Sequence, residues 1–97
     1  MADIYAGGVP ASRLIRQWAD AGDLQAATSR GIVAAAIHAA CFLCDRAIAA
    51  GIMTPGDALG DRGLVHELAH AAAGDATRDV AMLETFARRA EALEAAV

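Results

Sequence analysis

Apolar and polar residues first alternate with helical periodicity between Pro10 and Gly22. Proline suits the first turn of a helix, because its fixed φ matches that position and its missing N–H is not needed there. Beyond it, apolar and polar side chains separate onto two sides of a helix. The apolar side carries Leu14, Ile15 and Trp18, and the polar side carries Arg13, Arg16, Gln17 and Asp20. The pattern predicts an amphipathic helix.

The next segment, from Leu24 to Ala50, is apolar in nearly every direction. Asp23 offers an N-cap and Gly51 a left-handed stop, while Gly31 predicts that the helix either begins or bends there. The apolar residues that follow point to all sides: Ile32, Val33, Ile37, Cys41, Phe42, Leu43, Cys44 and Ile48. A helix that is apolar all round must be enclosed on all sides. Three other short helices cannot enclose it, so the sequence predicts self-association.

Two further helical signals follow in the second half of the chain. Residues 54–57 supply the cap, proline and acid of a short helical turn, which Gly60 ends. Asp61 caps a third helix that reaches Ala73, and Gly74 stops it. Its apolar stripe consists of Leu64, Val65, Leu68, Ala71 and Ala72.

The last helix begins at Asp75 or Thr77 and continues to the C-terminus. Glu84 and Arg88 are four residues apart, a spacing that supports a solvent-facing side, where Glu91 also lies. The opposite side repeats apolar residues every three or four positions: Val80, Leu83, Phe86, Ala87, Ala90, Leu93 and Val97. This segment has the cleanest amphipathic pattern in the chain.

These elements predict an all-α domain over residues 10–97, with four helices and one short helical turn. Composition supports this, because 27 of the 97 residues are alanine, the strongest helix former, and strand formers are sparse. Residues 1–9 contain no periodic pattern and are expected to form a flexible arm. Ile4 and Tyr5 on this arm are candidate contact residues.

The charge balance limits the classes of partner. Eight arginines and no lysines stand against twelve acids, giving a net charge of −4 that disfavours binding to nucleic acid. The longest charge-free run, residues 31–44, is shorter than the roughly 20 residues that a membrane span needs. The first residues lack the basic and apolar blocks of a signal peptide, and the two cysteines do not resemble a disulfide framework. We therefore expect a cytoplasmic protein that binds neither membrane nor nucleic acid.

The strongest chemical motif is His66-Glu67-Leu68-Ala69-His70. It resembles the H-E-x-x-H pattern of zincin metalloproteases. This resemblance implies that His66 and His70 bind zinc and that Glu67 acts as general base on a metal-bound water. Both histidines lie opposite the apolar stripe of their helix. A zinc-dependent hydrolase is therefore one alternative function.

A zinc site of this kind needs a third protein ligand, for which the candidates are Asp79, Glu84 and Glu91 on the last helix. The same motif contains Glu67-x-x-His70, which resembles the metal-binding pair of di-iron carboxylate bundles. Such a site requires a further glutamate on a neighbouring helix. The second helix has none, so only Glu84 or Glu91 could supply it.

A second alternative is a metal-binding or redox bundle that uses His38, Cys41 and Cys44. Imidazole and thiolate groups three residues apart on a helix could hold a soft metal, and the two thiols could form a redox pair. Both cysteines lie in the interior of a helix, whereas redox pairs usually occupy its exposed start. The competing interpretation is that they are small buried apolar residues.

The leading hypothesis is a non-enzymatic helical protein–protein interaction module: an adaptor, an inhibitor or an assembly subunit, as in phage-type regulatory factors. It requires no cofactor. Arg13 and Arg16 form a small basic patch beside Trp18, and arginine with tryptophan is typical of contact hot spots. These three residues are either contact residues or a solvated face with a core anchor. Ile37 and Phe42 are expected to form the homo-oligomer contact.

Overall fold

A computed structural model of the chain describes residues 9–21, 27–60, 63–73 and 80–97. Its helices are α1 (Ala11–Ala21), α2 (Ala27–Ala49), α3 (Pro55–Leu59), α4 (Leu64–Ala73) and α5 (Val80–Ala96). Within these ranges there is no β-strand. The predicted all-α architecture of four helices and one short helical turn is confirmed.

The two ends of α2 differ in how well the sequence predicts them. The helix includes Gly31 well inside its first half, so the chain neither starts nor breaks the helix at this glycine. At the other end, Gly51 has a positive φ of 75°. Its N–H donates to the Ile48 carbonyl at 3.0 Å, and the N–H of Ile52 donates to the Ala47 carbonyl at 2.9 Å. This pair of hydrogen bonds is a Schellman motif, which glycine stabilises because it adopts the left-handed conformation without steric cost.

The predicted short helical turn is α3, and a reciprocal capping box holds it. The Asp57 N–H donates to the Thr54 hydroxyl oxygen at 3.1 Å, and the Thr54 N–H donates to the Asp57 carboxylate at 3.0 Å. These hydrogen bonds lower the pKa of Asp57. Close packing follows at the corner before α4, where a Cβ on Gly63 would clash with the Ala58 carbonyl.

The bundle is organised around α1, which packs extensively against both α5 and α2. Ser12 near the start of α1 contacts Glu94, while Arg16 one turn later contacts Glu91 and Glu84. The two helices are therefore antiparallel. α2 also packs against α4 and α5, and α3 packs against α4.

Large apolar side chains from three helices fill the centre of the core. The largest fully buried ones are Trp18 and Ile15 of α1, Leu68 of α4 and Leu83 of α5. Val80 is 58% exposed, so its predicted place on the buried stripe of the last helix is wrong. Val9, which the sequence analysis assigned to the arm, is half-buried and packs against the core.

We expect Leu83→Ala to lower the free energy of unfolding by about 2–5 kcal/mol, because it leaves a cavity among fully buried side chains. The exposed Val80→Ala on the same helix should change it by less than about 0.5 kcal/mol. Urea denaturation at one fixed protein concentration measures both. Equal effects of the two substitutions would contradict the assignment of the core.

Candidate functional site

The side of α2 that faces away from the bundle carries a continuous row of exposed positions. We call this row the α2 stripe, and it consists of Gly31, Ala34, His38, Phe42, Asp45 and Ala49. Spacings of three and four residues keep these positions on one side of the helix over about 27 Å. Phe42 is 43% exposed, and it is the only large apolar side chain in the stripe.

Most of the residues that α2 buries are small, with Leu43 as the one large aliphatic residue among them. Its core side is mostly alanine: Ala36, Ala39, Ala40 and Ala47 are at most 1% exposed. The larger apolar residues flank this side and are only half-buried: Ile32, Val33, Ile37 and Ile48. Buried alanine lets neighbouring helices approach closely but removes little apolar area from water. The chain covers most of the surface of these half-buried residues, and Phe42, at 43% exposed, is the large apolar side chain of α2 left most accessible.

The shape of the molecule also leaves the outer side of α2 accessible to solvent. Its principal extents are 37 × 28 × 17 Å, and the smallest corresponds to two layers of helices about 8–10 Å apart. In a two-layer arrangement, a helix has no cover on its outer side. In the part of the chain that the structure describes, Arg30–Ala49 is the one helical segment long and apolar enough to cross a membrane. Only 33% of it is buried, although core helices of other proteins pass the same test.

The two histidines of the His66–His70 motif lie on the exposed side of α4, as their spacing predicts. Their rings are parallel to within 5°, with centroids 6.4 Å apart. Glu67 between them turns toward α5, where its carboxylate lies 3.4 Å from the Arg89 guanidinium. The group that would serve as general base is therefore engaged in an ion pair between helices.

Two of the three candidate third ligands are held by one arginine of α1. The Arg16 guanidinium donates to both carboxylate oxygens of Glu84 at 3.1 and 2.8 Å, and to both of Glu91 at 2.7 and 3.0 Å. Arg88 donates a further hydrogen bond to Glu84 at 3.2 Å. Arg16 and the weaker contact from Arg88 lower the pKa of Glu84 to about 2, and Arg16 also lowers the pKa of Glu91. The hydrogen bonds that Arg16 donates to these two carboxylates raise its own pKa.

This network leaves the histidine pair without a further ligand in the described ranges. Among those residues, no group of three or more His, Cys, Asp or Glu side chains is arranged to hold a metal ion. Asp79, the remaining candidate ligand, lies outside the described residues. The structure thus brings His66 and His70 together but adds no third side chain to them.

A small apolar cleft of about 220 Å³ opens between α4 and α5. It is lined by Glu67, His70, Ala71, Met82 and Phe86. The Arg89 guanidinium, which pairs with Glu67, lies 5.9 Å from the centre of the Phe86 ring. The polar groups of the cleft are thus mainly on its Glu67 and His70 side, and one of them is already paired.

The second candidate site, on α2, separates its members by exposure. His38 is exposed, Cys41 is half-buried and Cys44 is 3% exposed. Both cysteines are free thiols. Burial raises the pKa of both, and Asp45 raises each further. Thiols with raised pKa values stay protonated near neutral pH, which weakens them as nucleophiles and as metal ligands.

The predicted contact residues of α1 have different environments. Trp18 is 1% exposed and belongs to the core, so the folded chain does not offer its indole to a partner. No acceptor among the described residues pairs with the indole N–H. Arg16 is engaged by Glu84 and Glu91, whereas Arg13 is exposed. Ile4 and Tyr5 lie outside the described residues.

Sequence reasoning missed the polar contacts that join α1 to α5. Besides the Arg16 cluster, the Ser12 hydroxyl donates to Glu94 at 2.7 Å and the Ser12 N–H donates to the same carboxylate at 3.0 Å. The available signal was an acidic row on α5, with Glu84 and Glu91 seven residues apart. Such a row matches an arginine and a serine one turn apart on an antiparallel helix. Only knowledge of the α1–α5 pairing turns that row into a prediction.

The chain matches no protein-family model, no curated protein and no solved structure.

We expect Arg16→Gln to lower the midpoint of thermal unfolding by a few degrees at pH 7, because both glutamates lose their ion-pair partner. The pKa of Glu84 is depressed in the folded chain, so its contribution is present above the ordinary pKa near 4.5 and disappears as pH falls toward 2. The difference in unfolding midpoint between wild type and variant should therefore disappear as the pH falls from about 4.5 toward 2. Thermal scans from pH 7 to pH 2 check it, with Arg13→Gln as the exposed control. A gap that does not depend on pH would contradict the assignment.

For the histidine motif, we expect untagged protein to bind zinc only substoichiometrically, because two exposed imidazoles alone hold the ion weakly. Zinc content after dialysis, compared between wild type and His66→Ala, measures this. One zinc per chain that is lost in the variant would contradict the expectation. Hydrolytic activity lost in Glu67→Gln with zinc retained would establish the hydrolase instead.

Proposed function

We propose that the protein is a small non-enzymatic interaction module that acts as an assembly subunit, and that it associates with a second copy of itself through the α2 stripe. The observation that carries this proposal is the distribution of side chains on α2. The helix buries alanines, Leu43 and Cys44, leaves Ile32, Val33, Ile37 and Ile48 half-buried, and leaves Phe42 43% exposed. Apolar area that stays in water after folding favours association, because burying it releases the water that covers it.

The composition of the stripe supports a protein partner. Interface centres are depleted in charge and enriched in aromatic residues, and a few large side chains supply most of the binding free energy. The stripe has one large aromatic residue, Phe42, between His38 and the single acid Asp45, and its other members are the small residues Gly31, Ala34 and Ala49. A patch of this kind fits another helix, because small residues allow close approach of the two backbones.

The other polar groups support recognition rather than catalysis. Glu67 is paired with Arg89, and Arg16 holds both Glu84 and Glu91. General acid–base chemistry needs a group that can exchange a proton near the working pH. The lowered pKa values of Glu84 and Glu91 keep these carboxylates ionised at neutral pH, so they stabilise the α1–α5 contact.

Sedimentation equilibrium tests the proposal. At micromolar concentrations, we expect a species heavier than the 9.9 kDa monomer. Phe42→Glu should raise the dissociation constant at least about tenfold, because it places a charge at the centre of the apolar contact. Ile52→Glu and Val80→Glu are matched controls, since these side chains are 42% and 58% exposed outside α2. Both should associate like the wild type.

A strict monomer at these concentrations would overturn self-association. Equal weakening by all three substitutions would show that the effect is general charge and not the α2 stripe. Binding of the monomer to phosphatidylcholine vesicles, lost in Phe42→Glu, would assign the stripe to a lipid surface and would also contradict the proposal.

A further inference from the structure

The positions of the α2 stripe follow the repeat of a helix–helix seam. Successive members are separated by three, four, four, three and four residues. Gly31, His38 and Asp45 are seven residues apart, as in the repeat with which two nearly aligned helices keep contact, whereas Ala34 and Phe42 are eight apart, so the row shifts by one position between them. His38 lies at the middle of the stripe, with Gly31 seven residues before it and Asp45 seven residues after it. The stripe thus has a centre about which two copies could be related by symmetry.

Two copies of the stripe complement each other in charge and size only when the two helices run in opposite directions. Arg30 is exposed beside its first position, and Asp45 is exposed near its last. The bulky Phe42 lies on one side of the centre, and the small Ala34 and Ala35 lie on the other. If two copies run in opposite directions, Arg30 of each is level with Asp45 of the other. Phe42 of each then lies within one helical turn of the alanines of the other.

The parallel arrangement loses both of these complementary contacts. In a parallel pair related by a two-fold axis, each residue lies level with its own copy. Asp45 would then face Asp45 at short range, where like charges repel. Phe42 would lie level with Phe42, and the alanines would face each other across a gap. Specific helix pairing uses such charge and size differences to set direction.

We propose that the α2 stripes of two copies pack antiparallel about a two-fold axis beside Ile37 and His38, with Arg30 of each copy paired to Asp45 of the other. This inference rests on the proposed function and adds the orientation and register of the contact. The interface is isologous, since one patch serves both copies, and it therefore closes as a dimer. Small residues along the stripe allow the helix axes to approach to about 8 Å.

Disulfide trapping distinguishes the orientations, because this register places Ala34 level with Cys41 of the second copy. Ala34→Cys in a Cys44→Ala background therefore forms a covalent dimer on mild oxidation, with residue 34 linked to residue 41 of the other copy. Within one chain these positions are two turns apart, about 10 Å, and cannot be bridged. Peptide mass analysis identifies the linked positions.

Two matched variants carry one of these thiols each. Cys44→Ala keeps only Cys41, and Ala34→Cys with both native cysteines replaced by alanine keeps only the new thiol. In the antiparallel dimer, each thiol lies about 10 Å along the helix axis from the same thiol of the second copy. Neither one-thiol variant therefore crosslinks. The protein with both thiols, Ala34→Cys in the Cys44→Ala background, is the two-thiol protein. We expect it to yield at least about tenfold more covalent dimer than either one-thiol variant. Efficient crosslinking of both one-thiol variants would show a parallel pair and overturn the inference, while the proposed function would stand.

A final variant tests whether α2 forms the contact at all, whichever way the two helices run. His38→Cys, again with both native cysteines replaced by alanine, crosslinks in either orientation because position 38 lies beside the axis in both. If it crosslinks but the two-thiol protein does not, the register is overturned and the α2 contact stands. If it fails although sedimentation shows a dimer, the interface lies elsewhere, and both the inference and the role of α2 in the proposed function are overturned. Circular dichroism verifies that each variant keeps its helix content.

Discussion

A helix of 23 residues whose large apolar side chains point in several directions, in a chain of 97 residues, is the constraint on which the rest of the structure depends. Four helices contact α2, but Phe42 on its outer side remains 43% exposed. The chain buries the side that allows the closest packing, which consists of alanines and Leu43. Close packing stabilises the bundle, and the cost is that Phe42 stays in contact with water.

Electrostatic contacts join α1 to α5. Arg16 binds two glutamates of α5 through paired hydrogen bonds, and Ser12, one turn away on α1, binds Glu94. The Arg16 and Glu84 side chains are more than a third exposed, so water screens their charges. Each ion pair therefore contributes only modestly to stability. Their combined effect is to specify which helix α1 pairs with. They also occupy carboxylates that a metal centre near His66 and His70 would need.

Local sequence signals predicted the elements more accurately than their surroundings. Gly51 and the Thr54–Asp57 pair act through backbone hydrogen bonds within a few residues, so their effect is visible in the sequence itself. The large apolar residues of α2 point in several directions and so do not indicate which of them is buried, although its polar residues Arg30, His38 and Asp45 all lie on exposed positions. Val80 shows a related limit, because it continues an apolar row and is still exposed. Periodicity predicts which side of a helix is apolar, but the neighbouring helices decide which residues on that side are buried.

Hydroxyl-radical labelling over a dilution series tests the central claim most directly, since it reports the solvent exposure of individual side chains in the unmodified chain. The account predicts that Phe42 and His38 become protected as the protein concentration rises through the micromolar range. Ile52 and Val80 should be labelled at a constant rate. Labelling of Phe42 that does not change with concentration, under conditions where the chain is folded, would contradict the claim that the α2 stripe is a contact surface between copies.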